Sequence, residues 1–155
     1  DDFNYYKACA LQALGREAEA RELFLAASTG NSQPAAAMYY NDQKPDKIFY
    51  QGLAFRKLGR EDEARGCFNR LIDFGEKHLS DVFKMDYFAV SLPDLQIWED
   101  DMDKKNRIHC NYLMGLGHLG LGNLDKAERY FHIAAGMDNN HQGVQIHLQM
   151  VGNLI

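Results

Sequence analysis

Apolar and small residues recur along this chain at helical spacing, and three stretches share one pattern. "LGREAEARELF" begins at Leu14, "LGREDEARGCF" at Leu58 and "LGNLDKAERYF" at Leu121. Aligned on Gly15, Gly59 and Gly122, the copies place Ala8, Gly52 or Gly115 seven residues before the glycine. Ala20, Ala64 and Ala127 follow it by five, Phe24, Phe68 and Phe131 by nine, and Ala27, Leu71 and Ala134 by twelve. Steps of four and three put these residues on one face of a helix. The stretches ahead of the glycines, "YYKACALQAL", "IFYQGLAFRKL" and "HCNYLMGLGHLGL", are periodic too. A glycine between two such stretches suits a helix C-terminus, where it takes the left-handed conformation at little cost. Each copy therefore predicts a helix, a tight turn and an antiparallel helix.

Small residues on both facing surfaces let the two backbones approach closely, and the phenylalanine fills the space beyond. A lone hairpin of this kind cannot bury both of its faces, so the copies must stack. The pattern predicts one all-α domain over 1–155, a right-handed α-α superhelix. Its units span about 2–30, 46–78 and 107–138, with an insertion over 80–106 and a capping helix over 141–155. In the first connection, "SQPAAAMYYNDQKPDK", the alanines allow a short helix and Pro45 suits the first turn of the next one. Tyr39 and Tyr40 are expected to pack on a neighbouring unit. In the second, "YFAVSL" has the composition of a strand but no partner, which favours an extended segment lying on helices. Ser91 with Asp94 three residues on reads as a helix start, and Leu95, Trp98 and Met102 give that helix an apolar face. At the end, Val144, Leu148, Val151 and Ile155 form the single stripe a terminal cap needs.

This constellation resembles the tetratricopeptide repeat family, whose units of about 34 residues carry a small residue in the first helix and Ala, aromatic and Ala in the second. The chain departs from it in three ways. Asn4, Ile48 and Asn111 stand where the family has an early Trp, the usual Pro after the second helix is missing, and the units lie further apart. "MDNN" at Met137–Asn140 is a family-like ending. The wording "YYNDQ", "IFYQGLAFRKLGR", "DYFAVSLPD" and "NRIHCNYLMGLGHLGLG" also resembles the C-terminal region of certain large bacterial proteins. In those, a β-sandwich region similar to galactose-mutarotase folds precedes the repeats. That resemblance implies a carbohydrate-related parent of which this chain is the helical tail, and the opening on Asp1 likewise reads as a fragment.

Composition narrows the function. A net charge of −5, with 17 basic residues interleaved among 22 acidic ones, disfavours nucleic acid as partner, since phosphate contacts need clustered Lys and Arg. No apolar run approaches the roughly 20 residues that span a bilayer, so no membrane partner is expected. Cys9, Cys67 and Cys110 each sit in an apolar helical pattern and read as reduced thiols, which favours a reducing, cytoplasmic compartment.

Candidate chemistry is sparse. His141 and His147 are six apart, and His109 and His118 nine apart, so neither pair shares a helix face; packing or surface roles outweigh a metal site. Glu99, Asp100, Asp101 and Asp103 lack the alternating ligands of a calcium loop and read as a solvated face. No catalytic, metal or cofactor set is expected. What remains is a concave groove lined by the first helices. The family resemblance places Tyr5, Cys9 and Gln12 there from unit one, Phe49, Leu53, Arg56 and Lys57 from unit two, and His109, Tyr112 and Leu116 from unit three. Tyr5, Phe49 and Tyr112 are equivalent and form either an aromatic row facing a ligand or a layer packed on the insertions. The favoured function is a non-catalytic scaffold that docks a protein or peptide segment, the N-terminal domains of its own parent being one candidate. The alternatives are a helical accessory domain of a carbohydrate-active enzyme, and self-association through the aromatic insertion.

Overall fold

Three left-handed glycines organise the chain. The computed structural model describes residues 2–36, 43–82 and 102–153, and in it Gly15, Gly59 and Gly122 have φ of 73°, 75° and 78°. Each ends a helix in the same way. The N–H one residue beyond the glycine reaches back five residues to a carbonyl: Arg16 to Leu11, Arg60 to Phe55 and Asn123 to His118, all at 2.9 Å. This closure satisfies carbonyls that the helix end would otherwise leave without partners, and it reverses the chain within three residues.

The helices so delimited are α1 (Asp2–Ala13), α2 (Glu17–Ala27), α3 (Asp46–Lys57), α4 (Glu61–His78), α5 (Met102–Gly120), α6 (Leu124–Met137) and α7 (Gln142–Gly152). No strand occurs among the described residues. Helices α1–α2, α3–α4 and α5–α6 are hairpins, each stacked on the next, and α7 lies on α6 and α5. The described residues form a helical repeat, a stack of three hairpins with the tetratricopeptide-like shape expected from the sequence. Helix α5 begins at Met102, within the span expected to be inserted, so the third hairpin is longer than its sequence pattern. The Ala-rich stretch is not helical at residues 35 and 36. The expectations for Tyr39, Tyr40, the extended segment, the Ser91 cap and Trp98 lie outside the described residues.

The packing follows the small-residue logic. Phe24, Phe68 and Phe131 are all buried. A methyl group placed on Gly52 would come within 2.5 Å of the Phe68 ring, and one on Gly115 would strike Phe131. Phe68 is gripped a second time, by Gly120 of the following hairpin. The seam between α4 and α5 is tighter still. A Cβ on Gly117 would lie 2.6 Å from the Phe68 carbonyl oxygen, and one on Gly75 2.7 Å from that of Cys110. Backbone meets backbone there, and only hydrogen fits between.

Candidate functional site

The first helices carry the residues expected to line a groove, and the structure sorts them into two groups. Cys9, Gln12, Leu53 and His109 are half-buried, and Arg56 and Lys57 are exposed. Phe49 and Tyr112, by contrast, are only 1% and 2% exposed, and Leu116 is completely buried. Phe49 and Leu116 are thus closed off and Tyr112 keeps only an edge on the cleft described below, so the row is a packed layer rather than an open one. The cause is tertiary. Helix α5 is packed by α3, α4, α6 and α7, and α7 presses the His147 ring onto the row itself. That ring lies 5.3 Å from Phe49, edge to face at 86°, and 5.7 Å from Tyr112.

Tyr5 does sit in line with the row. Half-buried, its ring lies 5.8 Å from Phe24 and 5.6 Å from Tyr50. The cations are also engaged. Arg56 is bidentate to Glu61 at 3.0 Å through both nitrogens and rides 5.1 Å above Phe68. Lys57 donates to the Gln12 side-chain oxygen at 3.0 Å. Arg56 is therefore matched within the chain rather than waiting for an acidic partner.

A polar relay not foreseen from sequence runs beneath the row. His147 Nδ1 lies 2.7 Å from the Gly143 carbonyl, which can only accept, so Nδ1 carries the proton. Nε2 must then accept, and the Tyr50 hydroxyl donates to it at 3.3 Å. The Tyr50 oxygen in turn accepts from the Tyr6 hydroxyl at 2.7 Å, while the Tyr112 oxygen, 3.1 Å from Nδ1, shares that nitrogen's proton. Burial lowers the affinity of His147 for a second proton and pushes the Tyr50 and Tyr112 hydroxyls well above the ordinary tyrosine value. The relay ties α1, α3, α5 and α7 together with an internally satisfied set of groups. Period counting separated His141 from His147, yet both rings reach Tyr112 because His141 precedes α7 and caps it, accepting from the Val144 N–H at 3.1 Å.

Beside this closed row an open cleft remains, of about 620 Å³. Its helical walls are the first helices α1, α3 and α5 together with α7, at their N-terminal ends. Asp2, Lys44, Asp46, Asp138, His141, Tyr112 and Ile146 are among its lining. His109 also lines it and holds the first connection by a 2.8 Å contact from Nε2 to the Ala35 carbonyl. Among the described residues, no three His, Cys, Asp or Glu side chains gather as a metal site, and no helix is long and apolar enough to cross a membrane. Cys9, Cys67 and Cys110 are unbridged, and burial pushes the Cys110 thiol up to about 11.

Among protein families, the model described as tetratricopeptide repeat matches residues 48–73. That span holds most of the α3–α4 hairpin, including Gly52, Gly59, Ala64, Phe68 and Leu71. No solved structure matches the chain. The second hairpin is thus similar to a tetratricopeptide repeat in sequence as well as in shape.

Proposed function

We propose that the chain is a non-catalytic interaction scaffold that seats a polypeptide segment in the cleft between α1, α3, α5 and α7. The observation that carries this reading is the cleft itself: open, and built where successive hairpins converge. Pre-stacked helices present such a surface with little ordering entropy lost on binding. Asp and Lys side chains in its lining suit a segment carrying both charges, and Ile146, 43% exposed, offers an apolar contact. The N-terminal domains of a longer parent chain are one source of that segment. The aromatic row acts indirectly, by holding α7 where its first turn forms one wall.

A photo-crosslinking residue at Ile146 tests the reading, with a second at Asn69 on the exposed side of α4 as control. In cells, the Ile146 probe captures a defined protein or a defined segment of the parent, and Asp46→Lys with Lys44→Glu abolishes the capture. Equal capture from both positions, or capture that survives the charge reversal in a folded variant, refutes it.

A further inference from the structure

The outer face of α1 repeats, residue for residue, the faces by which α3 and α5 dock on the hairpin before them. Counting back from the turn glycines, one equivalent series is Tyr6, Tyr50 and Leu113; others are Lys7, Gln51 and Met114; Ala10, Ala54 and Gly117; and Leu14, Leu58 and Leu121. In the second and third hairpins these positions meet the preceding unit. Gln51 donates to the Ser28 carbonyl at 3.0 Å, and Ala54 and Leu58 join the cluster around Phe24. Met114 abuts Gly75, and Gly117 abuts the Phe68 backbone. In the first hairpin no preceding unit meets them among the described residues, and Tyr6 turns forward instead, to the Tyr50 hydroxyl at 2.7 Å. Leu14 is 73% exposed, Phe3 70% and Tyr6 49%, and Ala10 lies open among them.

The two ends of the stack differ in kind. Helix α7 carries a polar outer side, with Gln142, Gln145 and Gln149 exposed. On α1 the corresponding side is mostly apolar or small, with Phe3, Ala10 and Leu14 exposed beside a single charge, Lys7. We infer that α1–α2 is an interior unit, and that its outer face receives the second helix of another hairpin of the same repeat, contributed by chain lying N-terminal to Asp2. By the example of α4, that helix presents two bulky apolar residues four apart and a small one three further on, as Phe68, Ile72 and Gly75 do. The small residue at position 10 admits it, as Ala54 and Gly117 admit their neighbours. This rests on the packing of the seams and not on what occupies the cleft.

Cysteine protection tests it. With Cys9 replaced by Ser, Ala10→Cys is labelled with a maleimide in the 155-residue chain and in the natural chain extended upstream. The thiol at position 10 reacts about tenfold or more slowly in the extended chain, as expected of a buried site that opens only by local unfolding. Asn69→Cys reacts equally in both, and Leu14→Cys, at a side chain already in solvent, repeats the measurement should Ala10→Cys perturb the fold. Equal rates at position 10 in the two chains overturn the inference. So does protection in the 155-residue chain that deepens with concentration, which means a second copy covers the face. A natural chain with no room for a hairpin of about 34 residues ahead of Asp2 overturns it as well.

Discussion

Gly117→Ala opposes two effects whose order the structure decides. Gly117 lies inside α5, where alanine is the better helix former by about 1 kcal/mol, so local propensity alone favours the variant. The added methyl, however, would stand 2.5 Å from Ile72 Cγ1 and 2.6 Å from the Phe68 carbonyl oxygen. The first contact yields if Ile72 changes rotamer. The second is backbone, and relieving it means moving α4 away from α5 along the seam where Gly75 and Gly117 each face a backbone carbonyl. Overpacking of this sort costs about 1–3 kcal/mol. Because the clash is with backbone the upper half of that range applies, about 2–3 kcal/mol, and net of the propensity gain the variant loses about 1–2 kcal/mol, or roughly 2–8 °C in Tm at this chain length. Gly66→Ala on α4 is the control, because its new methyl would meet only the flexible end of Arg70, at 3.3 Å. That change stabilises by about 0.5–1 kcal/mol. Urea denaturation followed by far-ultraviolet circular dichroism measures both. If Gly117→Ala is as stable as the parent, the seam is not the close backbone contact described, and the account of why these hairpins stack fails.

Other perturbations follow from the same geometry. Phe68→Ala, which empties the space between Gly52 and Gly120, lowers the unfolding free energy by about 3–5 kcal/mol in the same assay. Gly59→Ala forces a side chain into a left-handed turn at φ 75° and costs about 1–2 kcal/mol, although open space surrounds the site. Stability is also pH-dependent: burial depresses His147 and His118 below the ordinary 6.5, so the unfolded chain binds more protons than the folded one once pH falls through that value. The urea midpoint is therefore lower at pH about 5.5 than at pH about 7.5, and His147→Gln reduces that difference without abolishing it, since His118 remains.

The hairpins were legible because their signal is local. Gly15, Gly59 and Gly122 mark turns that each need a left-handed residue, and the spacing from Ala64 to Phe68 to Leu71 is a period on a single helix. Such features depend on neighbours within a dozen residues, so the alignment of three copies exposes them. Past Met102, which the sequence already put on a helical face, the early part of α5 was less legible. Its first turns carry Asp103, Lys104, Lys105 and Arg107, and a mostly charged stretch without an apolar stripe reads equally as connection or as helix.

The groove shows where local reading stops. Family equivalence put Tyr5, Phe49 and Tyr112 in one row, and the structure does align rings there, but whether a row faces solvent depends on what crosses it. The crossing element is α7, and the residue that settles it, His147, lies 97 positions from its relay partner Tyr50. Three residues after Val144 and four before Val151, His147 shares their buried face, and only its polar side chain made it read as surface rather than core. One faint signal was present. Gly143 has no reason to interrupt the first turn of a terminal helix unless something approaches it, and the Tyr112 hydroxyl occupies the space a side chain there would need. A Cβ at position 143 would push α7 off the row and open Phe49 and Tyr112 to solvent. The same glycine that lets α7 close over the aromatic row lies in the lining of the cleft beside it, so the proposed recognition surface and the core packing share that first turn of α7.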